Sequence, residues 1–246
     1  MTDALTLVST TERADLDEQA AVAFAGHWPE FIFHDQDVKR FMERRARYFA
    51  DWDFYALDGD ALVGACYGVP LCWDTTVADL PAGYTDSLGR SVLEHEAGTA
   101  PDTLVVMGAM VHRDQTGRGR AGQIIGALRR TALDRGLRSV VAPVRPTLKH
   151  RYPTVDIATY AGWTRADGLP LDPWLRTHAR LGATVLAPAP RSQTMTGTVA
   201  EWESWTAMAF PDSGDYVIPE GLALLHVDRD ADTGTYHDPN VWMRHV

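Results

Sequence analysis

A continuous apolar run, a glycine-rich turn and an amphipathic helix follow one another in the middle of this chain. The run TLVVMGAMVH, residues 103–112, has the length and the β-branched character of a buried strand. The turn GRGRAG, residues 117–122, comes after a short connection and leads into apolar side chains at helical spacing. Gly136 ends that helix, and residues 138–144, RSVVAPV, predict a second strand. This order of elements predicts an α/β fold.

The residues around this unit predict further helices and a hairpin. Residues 15–26 and 37–50 predict two helices, and the second has apolar side chains on one face and basic side chains on the other. An Asp-Gly pair at residues 58–59 lies between two β-rich runs, which is a strong hairpin signal. An Asp N-cap followed by Pro predicts a later helix over residues 173–181.

Neither an internal repeat nor a clear linker interrupts the sequence, so we expect a single domain over residues 1–246. Its core is expected at about residues 15–186, with a C-terminal extension over residues 187–246. Residues 145–172 form a connection far longer than the roughly 2–6 residues usual in α/β units. We interpret this segment either as a lid over an acceptor site or as an excursion that covers the edge of the sheet.

Composition excludes several classes of function. The chain carries 33 acidic and 23 basic residues, a formal net charge of −10, which argues against a nucleic-acid partner and against anionic lipid. Cys66 and Cys72 cannot make a disulfide framework, and no Cys/His cluster has zinc-ligand spacing, so no metal is expected. The N-terminal residues lack a signal-peptide pattern, and no stretch approaches the roughly 20 apolar residues that span a bilayer. These features predict a cytoplasmic protein without a membrane partner.

The turn GRGRAG matches the dinucleotide pattern G-x-G-x-x-G literally, but its surroundings do not fit. Residues 112–116 separate the strand from the first glycine, and the second strand does not end in the acidic residue that would bind a ribose. A nucleotide P-loop needs Gly-Lys-Ser/Thr at the helix start, which is absent here. An Arg-Gly nucleic-acid segment does not suit an acidic chain. A glycine turn without a ligand stays open.

The segment VVMGAMVHRDQTGRGRAGQIIGAL resembles motif A of the GNAT superfamily, the acyl-CoA-dependent N-acyltransferases. In the pattern Q/R-x-x-G-x-G/A, Gly119 and Ala121 match the last two required positions, and Thr116 stands where the family has Gln or Arg. Backbone N–H groups at a helix N-terminus favour a pyrophosphate, and arginines add charge-assisted contacts. The resemblance thus implies acyl-CoA as donor and assigns its binding to Met110, Val111, Thr116, Gly117, Arg118, Gly119, Arg120 and Ala121.

The resemblance also implies the GNAT fold, an α/β fold with a mixed central sheet flanked by helices and here an extended C-terminal embellishment. The order of predicted elements agrees with the family over about residues 15–186. In the family, two parallel strands splay apart and the pantetheine arm binds in the gap between them. By resemblance these strands are residues 107–111 and 140–144.

The resemblance places the proton chemistry on a histidine. Amide formation from a thioester needs a base for the amine and an acid for the thiolate. Family members commonly supply a Tyr four residues before the Gly of a Leu-Gly helix ending, and His178 stands at that position. The strand over residues 104–110 carries no carboxylate, and His112 is the titratable side chain near its end. The predicted catalytic residues are therefore His178 and His112, since imidazole serves as acid or base near neutral pH.

A narrower resemblance concerns DPWLRTHARLGA, which looks like the corresponding helix in GNAT-like domains of polyketide loading modules. Those domains decarboxylate malonyl-CoA and pass the acetyl group to a carrier-protein thiol, with a catalytic His at the position of His178 and a Thr on the strand after motif A. Here that place falls near Val144 and Arg145, and Thr147 is out of register. The missing Thr counts against decarboxylation.

Aromatic and basic side chains outside the motif are candidates for the acceptor site. Trp28 lies in the connector HWPEFIFHDQ, which is either a pocket wall or a packed connector, and Arg145 and Tyr160 lie in the long connection. The expected function is transfer of an acetyl group from acyl-CoA to the amine of a small molecule. The alternatives are acyl transfer to or from the thiol of an acyl carrier protein, with or without decarboxylation, and a non-catalytic acyl-CoA-binding protein.

Overall fold

Nine strands form one mixed sheet in the computed structural model, which describes residues 5–245. The strands are β1 (Thr6–Ser9), β2 (Asp53–Asp58), β3 (Ala61–Leu71), β4 (Thr103–Val111), β5 (Ser139–Val144), β6 (Thr184–Gly197), β7 (Gly214–Val217), β8 (Leu224–Asp228) and β9 (Thr233–Arg244). Their order across the sheet is β1-β2-β3-β4-β5-β9-β8-β7, and β6 pairs with β9. The helices are α1 (Asp17–Phe24), α2 (Gln36–Tyr48), α3 (Tyr84–Glu96), α4 (Arg120–Asp134), α5 (Ile157–Ala161), α6 (Pro173–Arg180) and α7 (Val199–Thr206).

The hairpin turn and the helix ends predicted from Gly59, Gly136 and Asp172 occur at those residues in the structure. Gly59 adopts a left-handed φ of 60° between β2 and β3, and Gly136 adopts a φ of 88° just after α4. The Asp172 carboxylate accepts hydrogen bonds from the backbone N–H groups of Trp174 and Leu175, which are otherwise without partners in a first helical turn. Asp172 therefore caps the N-terminus of α6, the helix that carries His178.

The two parallel strands of the sheet separate at their carboxyl ends. β4 and β5 pair only through residues 103–105 of β4 and 139–141 of β5, although both strands continue further. On the other edge of β4, Tyr67 lies opposite Gly108 while Gly68 lies opposite Val106, so Met107 is an extra residue in a β-bulge. A bulge bends its strand and changes the direction of its side chains. This bulge lies beside the gap between β4 and β5. The predicted GNAT fold with splayed parallel strands is confirmed.

The C-terminal extension is part of the sheet rather than an added layer. β6 crosses the expected boundary between residues 186 and 187, and β9 enters the sheet beside β5. The last strand pairs with β5, β6 and β8, all antiparallel. Trp202 of α7 is fully buried in a second core with Phe31 and Tyr236. The core therefore extends well beyond residue 186.

The long connection over residues 145–172 packs onto the sheet instead of projecting from it. It contains α5, and the rings of Tyr152, Tyr160 and Trp163 contact one another with centroids 5.0–6.0 Å apart. All three belong to the main core or pack against it. These contacts hold the segment against the main core, and its use as a lid over an acceptor site stays a prediction.

Three features of the structure concern the cysteines, membrane spanning and metal binding. Cys66 and Cys72 both carry free thiols. Within residues 5–245 no helix combines the length and the apolar character needed to cross a bilayer. The same residues contain no group of three or more His, Cys, Asp or Glu arranged to hold a metal ion.

Candidate active site

A cavity of about 330 Å³ opens between the splayed ends of β4 and β5. Its floor is the bulged part of β4 and the last residues of β5, and its walls come from α2, α3, α6, β3, β6, β9 and the turn before α2. The residues that line it are Trp28, Ile32, Phe33, Val38, Lys39, Met42, Tyr67, Tyr84, Val106, Met107, Gly108, Ala109, Ala142, Pro143, Val144, Arg145, Trp174, His178, Gln193 and Asn240.

The walls of this cavity are mostly apolar and aromatic. Close packing is visible at Gly108, where an added Cβ would come within 2.4 Å of the Tyr67 ring. The Tyr67 and Tyr84 hydroxyls hydrogen-bond to each other at 2.9 Å. Lys39 and Arg145 are the cations of the lining, and no Asp or Glu lines it among the described residues. The cavity therefore suits an apolar ligand with a small number of polar groups.

His178 is presented to this cavity by α6. Trp174, one helical turn earlier, lines the same cavity, and its ring meets the imidazole edge-on at 4.6 Å. His178 is only 2% exposed, and its Nδ1 lies 2.8 Å from Nε2 of His245, the residue that follows β9. Nε2 of His178 is buried and has no hydrogen-bond partner among the described residues. Because Nδ1 is engaged, Nε2 is the nitrogen left for a ligand in the cavity.

Both imidazoles of this pair are held neutral. Burial, and secondarily the neighbouring His245, lowers the pKa of His178 to about 3. Burial, and secondarily the positive charge of Arg129, lowers the pKa of His245 to about 4. A neutral imidazole has one N–H and one free lone pair, so at neutral pH the free nitrogen of His178 can accept a hydrogen bond from an N–H group of a ligand.

We expect the free energy of unfolding to fall as the pH drops from about 6.5 towards 4. The native pKa values of His178 and His245, about 3 and about 4, lie below the ordinary value of 6.5. The unfolded chain therefore takes up protons first, and stability that is complete above about pH 6.5 is lost below it. Urea unfolding at pH 7, 5.5 and 4.5 measures this slope. The double variant His178→Phe/His245→Phe should flatten it, and an unchanged slope would assign the acid sensitivity to other groups.

Asn240 is a second polar group of the cavity that sequence reasoning missed. It is 3% exposed, and its Nδ2 donates to the Pro143 carbonyl at 3.0 Å. Its Oδ1 is buried and accepts no hydrogen bond from the described residues. A buried acceptor without a donor is uncommon and costs free energy, which points to a ligand that donates to it. Asn240 reaches the cavity because β9 pairs with β5, a contact that no local pattern indicates.

The glycine turn leaves a row of backbone donors at the start of α4. The backbone N–H groups of residues 117–122 make no hydrogen bond of ordinary geometry to a described residue, and Gln123 is the first to donate, to the Gly119 carbonyl. Gly119 caps the helix in a left-handed conformation with φ 73°, and its Cα faces open space. A positive φ disfavours any residue other than glycine at this position. Helix α4, which follows it, is 15 residues long. These N–H groups, at the positive end of the helix, can bind a pyrophosphate.

The two arginines of the turn have different surroundings. Arg118 is exposed, and its guanidinium contacts only the Gln115 side chain, at 3.5 Å. Arg120 pairs with Asp58 of the β2–β3 hairpin and with Gln123. Arg118 is therefore available to a phosphate, whereas Arg120 is engaged within the chain. Thr116, at the position where the family has Gln or Arg, donates its hydroxyl to the Arg113 carbonyl at 2.9 Å.

The structure places several sequence-predicted site residues in the cavity and others outside it. Trp28 and Arg145 line the cavity, and the guanidinium carbon lies 5.9 Å from the centre of the Trp28 ring. Arg145 is anchored by the buried carboxylate of Asp238, with Nε–O distances of 3.0 and 3.1 Å, and its Nη2 donates to the Glu220 carbonyl at 3.1 Å. Its Nη1 donates to no described residue.

His112, Tyr160 and Met110 do not line the cavity. The His112 imidazole accepts the backbone N–H of Asp114 at 3.2 Å and so caps the turn after β4. Tyr160 is 1% exposed and donates its hydroxyl to Asp172, because packing with its aromatic neighbours draws it into the core. The Met110 side chain packs against a third core on the other side of the sheet from the cavity floor. The Val111 carbonyl contacts His27 Nε2 at 3.1 Å.

Comparison with known proteins finds a sequence relative and solved structures that share this architecture. No family model matches the chain. The arginine N-acetyltransferase avaD of Aspergillus versicolor is 27% identical over 247 residues, covering 89% of this chain and 84% of that protein. The GphF GNAT-like decarboxylase, solved in complex with isobutyryl-CoA, superposes with a TM-score of 0.57 at 18% identity, over 98% of each chain. The loading GNATL domain of CurA from Lyngbya majuscula gives a TM-score of 0.54 at 13% identity, over 98% of this chain and 95% of that one.

Proposed function

We propose that this chain, which has the fold of the GNAT superfamily, is an acyl-CoA-dependent acyltransferase that transfers an acetyl group to the amine of a small molecule. The observation that carries the proposal is the cavity between the splayed ends of β4 and β5. This cavity is lined by His178, whose Nε2 has no hydrogen-bond partner among the described residues. Its floor includes β4, the strand that leads to the glycine turn. β4 thus connects the proposed donor-binding turn with the proposed proton acceptor.

The donor binds along β4 and at the start of α4. The edge of β4 that faces β5 has no strand partner beyond Val105, so its backbone groups are available to an extended pantetheine arm. The N–H groups of residues 117–122 and the exposed Arg118 bind the pyrophosphate. In this orientation the thioester lies in the gap beside Met107 and Gly108.

His178 and Asn240 handle the acceptor amine. Nε2 of His178 accepts a proton from the nitrogen, and Oδ1 of Asn240 accepts a hydrogen bond from it. The neutral amine then attacks the thioester carbonyl, and the bond to sulfur breaks. Nε2–H of His178 donates a hydrogen bond to the departing thiolate, which takes its proton from the nitrogen of the new amide. His112 has no part in this scheme because it lies outside the cavity.

The lining of the cavity favours an acceptor with an aromatic or aliphatic body. Aromatic side chains from five positions surround the space: Trp28, Phe33, Tyr67, Tyr84 and Trp174. The free Nη1 of Arg145 suits a carboxylate on the acceptor. The name of the Aspergillus relative states arginine as substrate, but a guanidinium would meet no carboxylate among the described lining residues. An arylalkylamine or an aromatic amino acid fits better.

The same guanidinium favours a second candidate function. A malonyl group also carries a carboxylate, which Arg145 can bind, so decarboxylation of malonyl-CoA with transfer to a carrier-protein thiol is the alternative. Thr147, however, does not line the cavity, so the Thr expected for that reaction is not supplied by this segment. Release of carbon dioxide from malonyl-CoA distinguishes this alternative from amine acetylation.

Calorimetry and thiol release test the proposed function together. Acetyl-CoA should bind and NAD should not, and free thiol should appear faster with 2-phenylethylamine or L-phenylalanine than with L-arginine. The variant Gly119→Val should weaken acetyl-CoA binding by about tenfold or more, since a left-handed non-glycine residue costs about 1–2 kcal/mol. Gly98→Val is a matched control, because Gly98 has φ 70° and open space but lies far along the chain from the turn. Binding of NAD without binding of the CoA esters would overturn the proposal.

A further inference from the structure

The His178–His245 hydrogen bond connects two separate cavities. His178 lines the cavity of about 330 Å³ between β4 and β5. His245 lines another cavity, of about 380 Å³, whose walls are Gly126, Arg129, Arg130, Leu133 and Leu181. The two linings share no residue. The 2.8 Å contact between the imidazoles is thus a direct link from the proposed acceptor site to a second opening at α4 and the end of α6.

The pair has four ring nitrogens, of which two face each other and two are outer. His178 Nε2 and His245 Nδ1 are both buried and have no hydrogen-bond partner among the described residues. The inner nitrogens, His178 Nδ1 and His245 Nε2, share one proton between them. Two arrangements are therefore possible when both rings are neutral. In one, Nδ1 of each ring carries hydrogen; in the other, Nε2 of each ring carries it.

A change from the first arrangement to the second moves a proton without making a charged ring. His178 Nε2 gains a proton from its cavity, its Nδ1–H passes to His245 Nε2, and His245 Nδ1–H leaves to the other cavity. Burial disfavours an imidazolium at both rings, and the positive charge of Arg129 adds to this at His245. The titratable or charged groups that line the two cavities are Lys39, Tyr67, Tyr84 and Arg145 on the side of His178, and Arg129 and Arg130 on the side of His245.

We propose that His178 and His245 form a proton wire that exports the proton of the acceptor ammonium from the acceptor cavity to the second cavity. The proposal rests on the proposed amine acetylation. An ammonium has no lone pair, so one proton must leave before attack on the thioester. That proton enters at His178 Nε2, and a proton from His245 Nδ1 goes to water at α4. The ammonium has become an amine, both rings stay neutral, and one proton has reached solvent.

The wire resets after acyl transfer. During transfer Nε2–H of His178 donates a hydrogen bond to the thiolate, which takes its proton from the new amide nitrogen, so the tautomer of His178 is unchanged. After product release, His178 Nε2–H returns a proton to water, and the shared proton moves back from His245 Nε2 to His178 Nδ1. His245 Nδ1 then takes a proton from solvent. The whole cycle converts ammonium and acetyl-CoA into amide, free thiol and one released proton. His245 is thus a positioning and relay residue rather than one that touches the substrate.

The variant His245→Gln tests the wire. A glutamine amide can keep a hydrogen bond to His178 Nδ1 but cannot pass a proton through itself. With acetyl-CoA and the best acceptor of the three named above, we expect kcat at pH 6–7 to fall by about tenfold to a hundredfold. The deficit should shrink as the pH approaches the pKa of the free amine, since the acceptor then enters as a neutral amine. KM for acetyl-CoA should stay unchanged.

His237→Gln is the matched control. His237 lies in β9, the strand that His245 follows. It is absent from the linings of both cavities and contacts the Thr194 hydroxyl at 3.0 Å. It should retain the kcat of the unaltered protein at every pH. Equal kcat for His245→Gln and the unaltered protein across the pH range would overturn the wire, as would a deficit that does not change with pH.

Nitrogen NMR on the unaltered protein tests the wire without turnover or variants. We expect both imidazoles to be neutral at pH 7, with matching tautomers that share one proton. An imidazolium signal from either ring at pH 7 would overturn the proposal. Because this measurement needs no acetyl transfer, it separates the wire from the proposed function. It also decides the matter if His245→Gln does not fold, whereas absence of thiol release with every acceptor would count against the acetyltransferase alone.

Discussion

Replacing His178 by glutamine is expected to lower kcat by about 10²–10⁴ while leaving the dissociation constant of acetyl-CoA unchanged. Glutamine fills most of the space and can keep a hydrogen bond to His245, but it cannot take a proton from an amine at neutral pH. The donor contacts proposed for residues 117–122 lie outside α6, so this replacement should leave them intact. Steady-state thiol release and calorimetry on the same preparation measure the two quantities.

His112→Gln is the matched variant for this experiment, because the sequence predicts both histidines as catalytic. The His112 side chain caps the turn after β4 outside the cavity, so its replacement should change kcat far less. Comparable losses in both variants would contradict the assignment of the proton chemistry to His178. If the unaltered protein binds acetyl-CoA but releases thiol with no amine, and His178→Gln binds equally well, the non-catalytic acyl-CoA-binding alternative is favoured.

Replacing Asp172 by alanine is expected to lower the free energy of unfolding by about 3 kcal/mol or more. The Asp172 carboxylate is 1% exposed and accepts from four donors. Two are the first N–H groups of α6, and the others are the Leu148 N–H and the Tyr160 hydroxyl, at 2.7 and 2.8 Å. Alanine removes the cap and leaves these donors buried without a partner. Thermal unfolding should show a decrease in Tm of about 6–12 °C.

Asp156→Ala is the control for the Asp172 experiment. Asp156 also caps a helix, α5, but it is exposed and its side chain accepts only from the Thr159 N–H. Its replacement should cost much less than that of Asp172. Asp172→Asn should fall between, since the amide oxygen keeps the two helix donors but the amide nitrogen cannot accept from Leu148. Equal losses for Asp156→Ala and Asp172→Ala would show that the buried network adds nothing to an ordinary cap.

The parts of the fold and site that could be predicted from the sequence are those set by neighbouring residues. The strand, turn and helix around Gly119 follow from short apolar periods and glycine chemistry, and the cap at Asp172 follows from its position before Pro173. His178, which lines the cavity, was predicted through its place in a helix that resembles a known family. In each case the signal lies within about ten residues of the feature it predicts.

The parts that could not be predicted depend on pairing between distant segments. Asn240 and His245 reach the site because β9 lies beside β5, and the β9 segment shows no clean alternation that indicates a central strand. Tyr160 was predicted to bind substrate because aromatic residues in long connections often do. Its burial is decided by contacts with Tyr152 and Trp163 in three dimensions, which its sequence spacing does not reveal.

The place of β9 in the sheet also fixes when the site can form during protein synthesis. Asn240 lies 97 residues beyond its partner Pro143, so at ribosomal rates of about 5–20 residues per second roughly 5–20 s separate their emergence. Throughout that interval the edge of β5 in the nascent chain lacks its final partner strand, β9. An unpaired strand edge of apolar residues invites association with other chains. We therefore expect chaperone dependence, and any benefit from slow translation, to concentrate in the stretch between β5 and β9.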